Sequence, residues 1–569
     1  MTISNRKRNS FKKSKRPKAS ATSVKNAEGR QLEKALNKAI KDHDFKTAVL
    51  LADRYILLAS NQLSYTHLVV IAELYMHATE YKKAYDLLMR AMEMDADSEM
   101  APETLFWVQH NRGAIGEAEK VIKKLLSEGP DDKRAMYMQW DALRANRDSN
   151  QQAVLDIFTE IGLPDSKDPR YHELMFCYLM ALCQVGRADE AAELLSEIPK
   201  ETRFQTPNLP MAEAQALQSL GDWQGAIDMY TDVIHRFSNL PEAIWNRSIC
   251  RLTIGDLLNG WLDYLERWNW EAFPSPRVLI DAEPWTGQKL TGKRIVIWAE
   301  QGLGDQLLFL SLILPFARTP EIETMVAVHH KLVPLVATWY PEIKVVPVQI
   351  DTTDISDFRG FDYHVPMGSL GRYFLDSEEK VSNRAIRYLA SDQNLKHEIK
   401  AKMGWADDTL LVGVCWRSSV LHNNRVSNYL NVNLVKSLRA NVNGGVQFVC
   451  LQYNITQEER EMLMDLGVFI ADDDFYNDIT SHARHVGICD YVVTAGTLTK
   501  QLAGLFDRPT LTWGRCGWTY LGQATYPWYR SIATLKIEAG FSESSLVYQI
   551  NRWLNIAIDN HDLPEDTGD

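Results

Sequence analysis

Residues 294–309 read RIVIWAEQGLGDQLLF. Branched and aromatic apolar residues run from Arg294 to Ala299, meet the turn Gly302-Leu303-Gly304-Asp305, and give way to an amphipathic stretch. That order is strand, tight turn, helix: the unit from which parallel α/β sheets are built. Glycines at such a corner let backbone approach a ligand, and unpaired N–H groups opening a helix favour an anion. The third glycine of a dinucleotide fingerprint is missing. Asp305 on position alone is equally a helix cap.

Downstream, strand-like runs recur at TMVAVHH, IKVVPV and YHVPM, then at LLVGVCW, VQFVCLQY, VFIADD, DYVVTAG and PTLTWG, with helical segments between most of them. Two such series, parted by a polar stretch around 376–407, predict two Rossmann-like domains with functional residues just after the strands. The polar segment SSVLHNNRVSNYL after the first strand of the second series is either an active-site loop carrying His422 and Arg425 or an ordinary surface loop.

Upstream, strand signal is almost absent between Gln31 and Trp270. A small residue instead follows a turn at Ala48, Ala84, Ala118, Ala153, Ala191, Ala226 and Gly260, with spacings close to 35 residues. That period is the one expected of tetratricopeptide repeats: stacked helical hairpins, the small residue lying where two helices approach closely. The segment EAFPSP…PWTGQKLTGKR, rich in Pro and Gly, marks the joint between the two architectures.

Composition sets the class. The chain has 569 residues, too many for one core, with 45% hydrophobic and 24% charged residues. Nothing approaches the roughly 20 uncharged apolar residues that span a bilayer, and the N-terminus lacks the apolar centre of a signal peptide. Seven dispersed cysteines fit reduced thiols. A cytoplasmic protein is expected. Residues 1–25 carry nine Lys or Arg and no acid, so a net charge of −12 conceals a basic arm on an acidic body. No basic stripe appears outside that arm, which disfavours a dedicated nucleic-acid binder. No His/Asp/Glu cluster suggests a metal.

The junction GWLDYLERW…FPSPR…GKRIVIWAEQGLGDQLLF, with GVCWRSS (413–419), FVCLQY (448–453), TAGTLTKQLAGLFDRPT (494–510) and YPWYRSI (526–532), resembles bacterial proteins that join tetratricopeptide repeats to a glycosyltransferase-like domain. That domain is similar to the heptosyltransferases of lipopolysaccharide synthesis, which implies an α-helical repeat superhelix followed by an α/β, GT-B type pair of Rossmann-like domains. The expected divisions are a basic arm (1–28), repeats (29–270), a linker (271–292), a first α/β half (293–400), a second, nucleotide-sugar half (401–557) and an acidic tail (558–569).

The resemblance implies that Asp305 is the catalytic base and that Gly302 and Gly304 shape its turn. Arg417, Ser418, Ser419 and the Gly496-Thr497 turn would face the donor phosphate, and Gln452 the nucleoside. Trp513, Trp518 and Trp528 offer stacking surfaces or, individually, core packing. The heptosyltransferase pattern Asp-Thr-x-x-x-His becomes Gly496 and Gln501 here. Either the donor has changed, with a CMP-linked nonulosonic acid as one candidate, or catalysis is lost. The expected activity is metal-independent glycosyl transfer, without a cofactor, to Ser/Thr hydroxyls of a protein held by the repeats, such as flagellin or another exported protein. The alternatives are an inactive scaffold and a lipopolysaccharide or capsule glycosyltransferase.

Overall fold

The structure is a computed structural model. It describes residues 27–41, 44–59, 63–94, 100–111, 120–121, 151–168, 170–238, 240–275, 277–278, 280–348, 358–418, 429–442, 444–514, 517–537 and 542–561. The basic arm as far as residue 26, Ser419 with the loop bearing His422 and Arg425, and the tail from 562 lie outside these.

The chain divides into two compact units, Met1–Ala181 and Leu182–Asp569. The first contains helices, paired as hairpins such as Ala27–Lys41 with Phe45–Ala59 and Tyr65–His77 with Tyr81–Met94. Ala48 and Ala84 are fully buried there, as the repeat period requires. Tyr75 donates its hydroxyl to Asp53 at 2.6 Å, tying adjacent hairpins.

The second unit opens with hairpins Asn208–Leu220/Trp223–Arg236 and Pro241–Ile254/Leu257–Leu265. Ala191 and Ala226 are again fully buried. A β-carbon on Gly260 would stand 2.7 Å from the Leu252 side chain, so the two helices approach here more closely than an alanine would allow without a shift. Ala118 lies outside the described residues, as does the side chain of Ala153.

Two all-parallel sheets follow. The first has the order β1-β5-β2-β3-β4, with β1 Glu283–Pro284, β2 Arg294–Trp298, β3 Glu323–His329, β4 Lys344–Val348 and β5 Tyr363–Pro366. The second has the order β11-β10-β9-β6-β7-β8, with β6 Leu410–Cys415, β7 Val446–Cys450, β8 Phe469–Ile470, β9 Tyr491–Ala495, β10 Thr510–Gly514 and β11 Ile532–Lys536. Its chain order reverses between β6 and β9, the switch point of a doubly wound sheet. Strands are apolar on both faces because both are covered. In β6, Val412 and Val414 pack with Leu546, Ile550 and Leu554 of the last helix, while Leu411 and Cys415 join the core on the opposite side. The edge strands β1 and β11 are absent from the sequence reading: β1 has two residues, and β11 carries weak, half-exposed character.

The 271–292 joint lies inside the second compact unit, the two units parting at 181/182 within the helix Tyr171–Gln184. The cause is a buried core at the joint. Trp261, Tyr264 and Phe273 are buried, and the Trp261 indole donates to the Leu375 carbonyl at 2.9 Å. Arg267, on the 3-10 turn Glu266–Asn269, pairs with Glu300 just after β2, Nη2 to Oε2 at 2.7 Å, both side chains fully buried. On the other side, Gly255 and Gly522 meet backbone to backbone; a β-carbon at Gly522 would lie 2.4 Å from the Gly255 Cα.

Removing one charge from a fully buried pair strands the other. Glu300→Gln is therefore expected to lower the stability of the second unit by about 3–5 kcal/mol, measured by denaturant unfolding of the full chain. A loss below about 1 kcal/mol would mean the pair is hydrated in solution.

Candidate functional site

The turn after β2 and the helix after β9 face each other. Helix Leu303–Leu310 begins at Gly302, and Asp305, partly exposed, accepts the Gly302 N–H at 3.3 Å. The capping role of Asp305 is thus realised. The glycines behave differently from the expectation. Gly302 has ordinary extended backbone (φ −80°, ψ 167°), and the left-handed residue is Gln301 (φ 60°). Gly304 gives room to the opposite half: a β-carbon there would stand 4.0 Å from Gln501 Cγ.

Gln501 lies in helix Leu498–Leu505, which starts directly after β9, and is buried. Its side-chain amide atoms lie 3.0 and 3.1 Å from the Tyr526 hydroxyl. Lys500, 9% exposed, holds its ammonium 4.1 Å from the centre of the Tyr526 ring. Burial raises the Tyr526 phenol well above its ordinary range, and the Asp305 carboxylate adds to that rise. Gln501, Lys500 and Tyr526 therefore form one polar cluster, which the Asp305 turn approaches through Gly304. Sequence reasoning missed Lys500 and Tyr526. A signal for Lys500 was present: a cation in a helix's first turn opposes the macrodipole and needs a local reason.

At the switch point of the second sheet, Gly496 is exposed, and a β-carbon there would meet open space. Thr497 is buried, with its hydroxyl accepting the Thr499 N–H at 3.2 Å as a helix cap. Its own N–H donates to the Ala495 carbonyl at 2.6 Å. Across the switch, Cys415 Sγ lies 3.7 Å from the Thr497 hydroxyl. Gln452 is 4% exposed. Its Oε1 accepts the Trp416 and Arg417 N–H groups, each at 3.0 Å, and its Nε2 donates to the Tyr453 carbonyl at 2.9 Å. Its side chain ties the end of β7 to the end of β6, with the oxygen and one N–H of the amide engaged by protein. The Arg417 guanidinium pairs with Glu459 at 2.7 Å and donates to the Asn454 carbonyl at 3.1 Å, so Nη2 is committed to protein. Ser418 is half-buried beside it.

A cavity of about 190 Å³ opens beyond β7 and β8, lined by Gln452, Tyr453, Asn454, Arg460, Asp473 and Asp474 among others. A larger groove of about 1090 Å³ lies between helices Asn433–Asn441 and Glu543–Asp559 and contains none of the residues above. The strand-end cavity shares Gln452 with the contacts at the end of β6 and is lined by the charged Arg460, Asp473 and Asp474. Trp513 and Trp528 are core residues, and Trp518 stacks on Phe309 at 6.0 Å, so all three act in packing. Among the described residues, no cluster of three or more His, Cys, Asp or Glu could hold a metal ion, and no helix is long and apolar enough to cross a membrane.

The first sheet's switch point, between β2 and β5, is occupied by protein. Arg267 reaches Glu300 from Nε and Nη2, the Ser369 hydroxyl at 3.1 Å and the Tyr264 carbonyl at 2.8 Å. Burial raises the Glu300 carboxyl and Arg267 opposes that rise. At the second sheet, by contrast, Gly496 is exposed and the cavity of about 190 Å³ lies beyond β7 and β8.

Phe475, on the cavity wall, stacks on His482 at 4.8 Å with planes 8° apart. Burial, reinforced by His485, pushes His482 down to about 3. The folded protein therefore keeps this imidazole neutral, whereas the unfolded chain protonates it near 6.5. Stability from this group is complete above about pH 6.5 and falls as pH drops toward 3, by up to roughly 1.4 kcal/mol per unit. His482→Gln should flatten that slope in thermal unfolding between about pH 6 and 4; an unchanged slope would contradict the neutral assignment.

No family model matches the chain. Protein FlbA of Caulobacter vibrioides is 27% identical over 379 residues, which span 62% of this chain and 61% of that protein. Among solved structures, the chain is similar to the E. coli ADP-heptose lipopolysaccharide heptosyltransferase II (TM-score 0.35, 13% identity, 47% of this chain and 99% of that one). It is likewise similar to a glycosyl transferase family 9 protein of Veillonella parvula (0.35, 11%, 48% and 98%). The helical part is similar to a tetratricopeptide repeat protein of Parabacteroides merdae (0.35, 15%, 42% and 91%). Scores of this size carry no functional argument. The chain's own strand order and hairpin period define the architecture: tetratricopeptide-type hairpins followed by a GT-B-type pair of parallel α/β sheets.

Proposed function

We propose that the chain is a glycosyltransferase that moves a sugar from a nucleotide donor to a Ser or Thr hydroxyl of a protein. The carrying observation is the facing of two strand ends: the Asp305 turn of one sheet approaches Gln501 of the other through Gly304, in the helix that follows the open Gly496. Asp305 takes the acceptor hydroxyl proton, the oxygen bonds to the anomeric carbon, and the bond from that carbon to the donor phosphate breaks with its electron pair going to the nucleotide. Lys500 replaces the charge that the Asp/His pattern supplies in the resembling enzymes, favouring the developing phosphate charge. The cavity beyond β7 and β8 takes the nucleoside. The helical hairpins grip the polypeptide; flagellin or another exported protein is the acceptor the resemblance suggests, and a CMP-linked acidic sugar suits the changed donor residues. The reaction uses neither metal nor cofactor and takes place in the cytoplasm.

One observation favours an adaptor without catalysis: Arg417 Nη2 and the Gln452 amide oxygen are engaged by protein, and Gly496 and Gln501 stand where the resembling enzymes carry charge. The readings separate by experiment. Asp305→Asn should reduce transfer by roughly 10²–10⁴-fold while leaving acceptor capture intact, followed by intact mass of the acceptor and by pull-down. Transfer at the wild-type rate would remove Asp305 from the mechanism, and an acceptor mass unchanged by the wild-type protein with every nucleotide-sugar would favour the adaptor.

A further inference from the structure

Gln301 lies in the left-handed region at φ 60°, while its neighbour Gly302, able to adopt that conformation freely, does not use it. A residue bearing a β-carbon is strained there, and glycine would remove the strain. Among the described residues, Thr79, Asn454, Asp507 and Leu521 share a positive φ, and only Asn454 and Asp507 are of the types that tolerate it. Gln301 is not of those types, and its side chain makes contacts that glycine cannot.

Its contacts show what. The Gln301 N–H donates to the Ser275 hydroxyl at 2.5 Å, and Nε2 donates to the Tyr264 hydroxyl at 2.6 Å. Nε2 also lies 3.4 Å from Glu300 Oε1, and the Gln301 carbonyl accepts from Gln306 Nε2 at 3.4 Å. Tyr264 is in the last helix of the last hairpin and Ser275 is in the joint that follows. Tyr264 itself is locked between Trp261, Trp245 and Arg267. Two of these contacts, the side-chain bond to Tyr264 and the backbone bond to Ser275, run from the last hairpin and its joint to the residue that precedes the Asp305 turn.

We propose that Gln301 is a positioning residue: a strained clamp through which the last hairpin holds the Gly302–Asp305 turn in its working geometry. Strained backbone of this kind persists where the surroundings over-determine it. The clamp makes the hairpin array part of the catalytic centre without touching substrate. This inference rests on the reading of Asp305 as the base, and two readouts keep the two apart.

Tyr264→Phe removes the hydroxyl and keeps the ring; Gln301→Gly removes both the strain and the side-chain contacts. In the full chain, amide exchange at residues 302–306 is expected to quicken about tenfold in either variant. The maximal rate of transfer should fall about tenfold while the KM for the acceptor stays within twofold, and Gln301→Gly should unfold no earlier than wild type. Unchanged exchange at the turn overturns the clamp. Faster exchange with an undiminished maximal rate overturns its positioning role. Faster exchange in a protein whose wild type transfers no sugar leaves the clamp standing and overturns the glycosyltransfer reading alone.

Discussion

The buried ion pair of Arg267 and Glu300 is the constraint on which the second unit is organised. Dehydrating two ions costs several kcal/mol each, and mutual attraction recovers this only when every hydrogen-bonding group finds a partner. The surroundings meet that condition closely. Arg267 is flanked by the Tyr264 ring at 4.5 Å and the Trp268 ring at 4.9 Å and also donates to Ser369 and the Tyr264 carbonyl. A β-carbon on Gly368 would fall 1.8 Å from Glu300 Oε1, so glycine there makes room for the carboxylate. Such a pair adds little net stability compared with apolar packing; its effect is to admit one arrangement of hairpin and sheet.

Two consequences follow for function. The guanidinium lies at the strand ends where an open α/β sheet ordinarily takes its ligand, and the proposed reading therefore gives that role to the second sheet. The first sheet contributes a turn and a carboxylate instead. The hairpin that carries Arg267 also reaches the second sheet's side of the unit, through the Gly255–Gly522 approach and through Trp518 against Trp261 and Tyr264. One helical element thus sets where both halves of the cleft stand. Arg384 adds a further tie, donating to the Ser311 hydroxyl at 2.7 Å and the Trp528 carbonyl at 2.7 Å.

Much of the fold was legible because it rests on local pattern. The 35-residue period located the small residues at hairpin contacts, and apolar runs located β2 through β10. The short or weakly apolar edges β1 and β11 carried too little pattern to be seen. The site was legible only in outline. Asp305, Gly304 and Gln501 do come together, because position after a strand is a topological fact. The fate of Arg417 and Gln452 was not legible: each is decided by a partner on another strand or helix, Glu459 for one and the backbone of Trp416 and Arg417 for the other. The packing of the joint was not legible for a similar reason. Proline and glycine content describes a segment's backbone, whereas its burial depends on Glu300, 33 residues beyond Arg267.

The central claim is that the second sheet's switch point is the live ligand site and the first sheet's is closed by protein. Amide exchange of the full chain, with and without CMP, UDP, GDP and ADP, tests it most directly. The account predicts that one nucleotide slows exchange at residues 415–418, 452–455 and 496–500 and leaves 366–370 unchanged. Protection centred on 366–370, or none at any of these segments with all four nucleotides, would contradict it.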